Sequence, residues 1–394
     1  MLRIIGRFLK VTGTFLLFTV VALCLATVLV PPFLDRIYYE GPLSSHYNGE
    51  RFFNPDGGED FTVPKGRSRG GVLARWFLGA DERPEWPENV AVQPSKPQMN
   101  VQSGEMKAVW VGHATVLVQA GGLNILTDPI WSDYASPFPP LGPERVTKPG
   151  IRFEDLPKID LVVVSHNHYD HMDLPTLKRL WARDRPLIVT SLGNDSIISQ
   201  TGAKAVALDW GQSVDVRPGV RVVVTRNHHW GSRWGADRNR ALWSSFVIET
   251  PEGNIFFGGD TGGGDMKWPE EAASYGPVRL AIIPIGAFRF YAGQMSSGTH
   301  IGPRDAVKIF EGLQASYAIP IHWGTFRLSY EAYDTPPRML DLFVRCAGLS
   351  PERFSGKVIG RPMDVPAFSV SQKGAPSIDP ANCREGSKAL RVLK

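Results

Sequence analysis

The sequence predicts an α+β protein in which two β-sheets pack face to face with helices on their outer surfaces. Three observations carry this. Short strand-like runs separated by glycine-containing turns follow one another from Met106 to Thr127, the pattern of a meander. Beyond them, apolar runs alternate with the helically spaced segments Leu174–Arg183, Asn194–Gly202 and Pro303–Leu313. Among the apolar runs, Leu161-Val162-Val163-Val164 has no polar position at all, so it reads as a strand covered on both faces.

Taken in order, the chain opens with Arg3, Arg7 and Lys10, followed by an uncharged run of twenty residues from Val11 to Val30 that ends at Pro31-Pro32. As a helix at about 1.5 Å per residue this run spans roughly 30 Å, the thickness of a bilayer core. It is longer than the apolar core of a cleaved secretory signal and lacks a clear small-x-small site, so it reads as a retained single-pass anchor. The positive charge ahead of it puts residues 1–10 in the cytoplasm and the remainder across the membrane, which would be the periplasm if the source is a bacterium. Residues 31–100 are rich in Pro, Gly and charge and read as an extended arm with one short helix near Val72–Leu78, either wrapping the domain or spacing it from the membrane. Strands are expected at Lys107–Val111, Thr115–Gln119, Asn124–Thr127, Leu161–Ser165, Leu187–Thr190, Ala205–Leu208 and Val220–Thr225. Further strands are expected at Leu242–Thr250, Asn254–Gly258, Leu280–Pro284 and Tyr317–Ile321, within a main domain covering residues 101–365. The closing residues 366–394 are Gly-, Pro- and Ser-rich and read as a flexible tail.

Composition narrows the function classes. A chain of 394 residues with 43% hydrophobic and 21% charged residues is ordinary for a globular protein. A net charge of +4, with no basic block interleaved with aromatics, argues against nucleic acid as a partner. The three cysteines do not form a disulfide-scaffold pattern; Cys346 and Cys383 are one possible pair, but free thiols are the preferred reading. An oligomeric state is not legible.

The chemistry concentrates where the apolar strand ends. His166, His168, Asp170 and His171 follow Val164 with the spacing H-x-H-x-D-H. A strand leading into a tight loop lets three imidazoles and a carboxylate converge, and these donors suit zinc, iron or manganese. Three more candidates stand after predicted strands: His229 or its neighbour His228, Asp260, and His322. Four strand ends carrying such groups are most simply explained by one shared site. No G-x-S-x-G elbow or P-loop lysine pattern offers a different chemistry.

These residues resemble the signature of the metallo-β-lactamase fold hydrolases. The flanking segments are similar to the branch containing N-acyl-phosphatidylethanolamine phospholipase D and its bacterial relatives. The similarity lies in Trp110-Val111-Gly112-His113-Ala114-Thr115, Thr127-Asp128-Pro129-Ile130-Trp131-Ser132, Gly142-Pro143-Glu144-Arg145, His229-Trp230, Gly259-Asp260-Thr261-Gly262, Ile283-Pro284-Ile285-Gly286-Ala287 and His322-Trp323-Gly324-Thr325-Phe326. It spans roughly residues 105–330, in the family's order.

The resemblance implies an αββα four-layer sandwich and two divalent metal ions, zinc foremost. His166, His168 and His229 would hold one ion, Asp170, His171 and His322 the other, with Asp260 bridging. The preference for His229 over His228 comes from the family's placement of the ligand directly before Trp230. Such a pair supplies a metal-bound hydroxide for hydrolysis. Asp128 is either an acceptor for a ligand imidazole or a turn former before Pro129. His300 matches a family histidine near the substrate, able to protonate a leaving group or hydrogen-bond a phosphate, with a helix-capping neighbour as the alternative. His113, in a Gly-His-Ala turn, reads as structural. The aromatic loop Trp131–Leu141, including Trp131 and Phe138, is expected either to contact lipid or to close the core. The expected reaction is phosphodiester hydrolysis of a phospholipid substrate; the alternatives are a lactonase or ester hydrolase, or a non-catalytic membrane protein on the same fold.

Overall fold

The computed structural model describes residues 2–57, 83–99, 101–290, 294–368 and 378–393; the helix expected near Val72–Leu78 lies outside them. The first helix, α1 (Leu2–Leu34), is continuous through Pro31 and Pro32. Its Ile5–Thr27 stretch, 23 residues, is long and apolar enough to cross a membrane. Among its described side chains, Phe15 lies open at 73% and Leu17 at 62% exposure.

Two mixed sheets follow. The first contains β1 (Lys107–Gly112), β2 (Thr115–Ala120), β3 (Leu123–Thr127), β4 (Leu161–Val164), β5 (Leu187–Ser191) and β6 (Val206–Leu208), with β13 (Pro362–Asp364) added beside β1. The second contains β7 (Ser213–Arg217), β8 (Val220–Thr225), β9 (Ser245–Glu249), β10 (Asn254–Phe257), β11 (Val278–Pro284) and β12 (Tyr317–Ile321), in sequential order. Each begins as an antiparallel meander and ends in parallel strands, β3 to β6 in one and β10 to β12 in the other. The chain thus builds the same half twice, although no repeat is visible in its residues.

The four layers follow from the two-residue period of a strand, which sends successive side chains to opposite faces. In β4, Leu161 and Val163 enter the core between the sheets, with Phe246, Phe257 and Ile282. Val162 and Val164 face outward onto α2 (Leu174–Asp184) and α3 (Asn194–Ile198), through Leu177, Leu180 and Ile197. In β11, Leu280 and Ile282 face inward, while Ala281 and Ile283 meet α4 (Trp268–Ala273), α5 (Pro303–Gly312) and α6 (Thr335–Cys346). This explains why β4 and the Leu280–Pro284 part of β11 are apolar at every position.

Several expectations change. Strand β7 was not anticipated, although its Ser-Val-Asp-Val-Arg alternation is that of a half-exposed edge strand. Helices α4 and α6 were also missed; prolines open both, at positions where a helix needs no backbone donor. The arm wraps the domain in its described parts: Tyr47 and Phe52 bury against Leu242 and Trp243, and Val90 pairs with Thr147. The closing residues 378–393 are not a loose tail. They include α7 (Lys388–Arg391), bury Leu390 and Leu393 in the helical layer, and are tied down by a disulfide between Cys346 and Cys383. The free-thiol reading was wrong because 37 residues separate the pair in sequence, and only the return of the tail over α6 brings them together.

A bridge closing such a loop stabilises by about 2–4 kcal/mol, so Cys383→Ser should lower stability by that order without unfolding the sandwich. Alkylation of the unreduced, denatured protein should label Cys24 alone; labelling of all three cysteines without reductant would refute the bridge.

Candidate metal centre

All the predicted ligands lie at one end of the sandwich, beyond the carboxyl ends of β4, β8, β10 and β12. Parallel strands place such loops together at one rim, where open sheets hold their ligands. The convergence needs close backbone approach. Gly259 has a φ of +57°, and a Cβ there would lie 2.6 Å from the Cβ of Ser165, so the strand ends carrying His166 and Asp260 could not meet with a larger residue. His113, Asp128 and His322 also occupy positive φ, at 50°, 29° and 67°, local strain typical of functional sites.

Two sets of donors result. His166, His168, His229 and Asp260 each offer an atom within 4.8 Å of the others, and so do His113, Asp170, His171 and His322. Asp260 reaches both: its Oδ2 is 3.8 Å from His229 Nε2 and 4.0 Å from His166 Nε2, and also 3.1 Å from His171 Nε2. Its Oδ1 is 3.1 Å from His322 Nε2. Asp170 Oδ2 is 3.3 Å from His322 Nε2 and 3.4 Å from His171 Nε2.

Neighbouring groups orient these donors. His229 Nδ1 hydrogen-bonds the carbonyl of Thr299 at 2.9 Å. Asp128 is fully buried and accepts from the Ser165 backbone N–H at 2.7 Å and from His171 Nδ1 at 2.6 Å. Of its two sequence readings, the imidazole acceptor is the one built. Burial pushes the Asp128 carboxyl up, against the opposing pull of His171 and Ser165.

His113 was read as structural, but its Nε2 meets Asp170 Oδ2 at 2.8 Å inside the site. It stands directly after β1, the same strand-end position that identified the other donors, so the signal was present. His228 turns away from the cluster, with its Nδ1 on Asp56 at 2.8 Å. His300 Nδ1 lies 3.8 Å from Asp260 Oδ2. Its imidazole is held neutral, its pKa lowered to about 4 by burial despite Asp260.

The aromatic loop divides in two. Trp131 packs inward, its indole N–H donating to the Ile151 carbonyl at 3.0 Å and its ring against Phe153. A half-buried indole needs that acceptor, so of the two expectations for the loop Trp131 takes the core-closing one. Phe138 and Leu141 stay open, at 61% and 69% exposure. Arg145, buried, donates to the carbonyls of Ile130 and Ser132 and stiffens the loop from beneath.

The donor set fits divalent cations. The buried Nε2 atoms of His168 and His229 have no hydrogen-bond partner among the described residues; leaving such groups unsatisfied costs about 1–3 kcal/mol each. Charge points the same way. Burial opposes ionisation of Asp170 and Asp260, yet nearby imidazoles, His171 first, hold both carboxyls well below the usual range. Burial likewise opposes a proton on His322, but Asp260 and Asp170 push its pKa up to about 9. The pocket gathers positive charge as protons, which a cation would displace.

The sequence from residue 123 to 323 matches the model of the β-lactamase superfamily domain. The chain belongs to this superfamily. Its relatives include an uncharacterised protein of Mycobacterium tuberculosis, 32% identical over 303 residues, covering 75% of this chain and 79% of that one. The N-acyl-phosphatidylethanolamine-hydrolyzing phospholipase D 1 of Caenorhabditis elegans is 33% identical over 308 residues, covering 74% and 85%. The superfamily fold is also seen in an isothiocyanate hydrolase from Delia radicum gut bacteria, with a TM-score of 0.52 at 18% identity over 66% of this chain and all of that one. The chain is thus a hydrolase of the metallo-β-lactamase fold, similar to the phospholipase D branch.

For His322 to act as a ligand it must lose the proton that a pKa raised to about 9 leaves on it near neutral pH. Metal affinity should therefore strengthen by about tenfold per pH unit for each proton released and level off only above about pH 9. Competition titrations at pH 6, 7 and 8 check this; a pH-independent affinity would contradict it. Asp128→Asn should weaken metal binding by about 10–100-fold while the fold survives.

Proposed function

We propose that this chain is a membrane-anchored, dinuclear metal-dependent phosphodiesterase acting on N-acyl-phosphatidylethanolamine or a related phospholipid. The observation that carries the reading is Asp260, within 4.0 Å of donors from both ligand sets. His166, His168 and His229 would hold one ion and Asp170, His171 and His322 the other, with Asp260 shared between them. Zinc suits this imidazole and carboxylate set. When bound, two such ions polarise a phosphoryl oxygen and acidify a water.

The chain's own residues do the rest. Asp260 and Asp170 hold the imidazoles in one arrangement and set the charge of the pocket. His113 steadies Asp170 through its 2.8 Å contact, and Asp128 fixes the tautomer of His171. His300, neutral near pH 7, suits a hydrogen bond to a phosphate oxygen better than delivery of a proton to the leaving group, which favours a pKa near the working pH. Phe138 and Leu141 give the approach an apolar edge, with Phe138 beside Trp234 at 6.2 Å; aromatic and apolar groups favour the head-group boundary of a bilayer.

Two observations support a catalytic domain on the outer face of the membrane. Arg3, Arg7 and Lys10 precede the apolar stretch of α1, the charge bias of a cytoplasmic end. The Cys346–Cys383 disulfide belongs to an oxidising compartment.

A panel of vesicle-borne N-acyl-phosphatidylethanolamine, a water-soluble phosphodiester, a lactone and a β-lactam tests the reaction class. Phosphodiester cleavage is expected; clear lactone turnover beside none on either phosphodiester would overturn the proposal. Phe138→Ser combined with Leu141→Ser should lower vesicle turnover by about tenfold and leave the soluble substrate nearly unchanged. Equal losses on both would remove the loop from lipid handling.

A further inference from the structure

The arm between α1 and the sandwich reaches the metal centre itself. Asn54 is buried, and its Nδ2 donates to the backbone carbonyl of His229 at 2.8 Å, while its Oδ1 accepts from the indole N–H of Trp243 at 3.1 Å. Two residues on, Asp56 Oδ1 meets His228 Nδ1 at 2.8 Å, and Asp56 Oδ2 accepts from the backbone N–H of Asp265 at 3.0 Å. Arg226 pairs with the same carboxylate at 3.3 Å. Burial would raise the Asp56 carboxyl, but His228 and the Asp265 N–H hold it down at about 2. Asp56 therefore stays anionic between two loops.

Those loops carry different ligands. Arg226 and His228 precede His229, and Asp265 follows Asp260. Asn227 and His228 also tie the two together through Asn227 Nδ2 on the Asp260 carbonyl at 2.9 Å and the Gly262 N–H on the His228 carbonyl at 2.6 Å. The fit is close: at Gly264, φ +53°, a Cβ would lie 2.3 Å from Asp56 Oδ2 and 2.7 Å from His228 Nδ1. Upstream, the arm is fixed to the loop after His229 as well. Tyr38 donates to Asp237 at 2.7 Å, Asp35 pairs with Arg240 at 2.7 Å, and the Phe52 N–H donates to the Asn239 carbonyl at 2.8 Å.

We infer that Asn54 and Asp56 are positioning residues for the metal centre, holding the His229 and Asp260 loops from the arm that leads out of α1. This rests on the dinuclear reading above. Asn54 sets the backbone of His229 so that its Nε2 faces Asp260. Asp56 occupies His228, which removes the neighbouring imidazole from competition for the ion and locks the two loops in register. The arm is then part of the catalytic unit, and the segment that follows the membrane helix also completes the site.

The test uses full-length protein in detergent, loaded with zinc and challenged with increasing chelator, and the visible absorption of the cobalt-loaded form. Asn54→Asp keeps the size of the side chain and the acceptor for Trp243 but removes the donor to His229; Asp56→Ala removes the clamp between the loops. Both should release metal at about tenfold lower chelator concentration than wild type, the scale of losing a group that orients a ligand, with an altered cobalt spectrum. Cys383→Ser, destabilised in the tail, should retain metal like wild type. Wild-type metal retention and an unchanged cobalt spectrum in both arm variants would overturn the inference, as would equal metal loss in Cys383→Ser at a matched fall in melting temperature. A wild-type protein that takes up no metal would instead overturn the dinuclear reading, and this inference with it.

Discussion

A carboxylate buried among imidazoles is the constraint around which this protein is arranged. Asp260 is 2% exposed and lies within 4.0 Å of nitrogen atoms from His166, His171, His229, His300 and His322. An ionised carboxylate in such a place is costly unless paired, and protons on His171 and His322 supply the pairing in the metal-free chain. Those protons are the ones that cations would replace. The geometry that makes the pocket expensive to build is the same geometry that makes it selective for positive charge.

The sandwich exists in this form to bring strand ends together. His166 and Asp128 come from the parallel part of one sheet, Asp260 and His322 from the parallel part of the other, and His229 follows the neighbouring meander strand. The core between the sheets sets their separation, and Gly259 lets the two rims touch at Ser165. Around this, Asp128, His113, Thr299 and Asn54 each hold one donor or its backbone.

How much of this could be read from the residues depends on the range of the contact. The H-x-H-x-D-H cluster was legible because strand and ligands are adjacent in sequence, and two packed sheets because strand-like runs come first and then alternate with helical segments, while the αββα topology came from the family resemblance alone. His113 was misjudged because its partner Asp170 lies 57 residues away, although its strand-end position hinted at the site. The packing of the tail was missed, and the Cys346–Cys383 pair passed over in favour of free thiols, for the same reason. Trp131 was left open between lipid contact and core closing because its acceptor, the Ile151 carbonyl, lies 20 residues on. The arm, rich in Pro, Gly and charge, carries no periodicity; Asn54 and Asp56 gain their meaning only from loops more than 170 residues downstream.

The central claim is that Asp260 joins two metal positions into one catalytic site. It is tested most directly by stripping the full-length protein of metal, adding zinc back in fractional equivalents, and following hydrolysis of a soluble phosphodiester alongside bound metal. Activity that stays low through the first equivalent and rises with the second, with Asp260→Asn failing to retain that second equivalent, is the predicted result. Full activity at one equivalent, or in the metal-free protein, would contradict it.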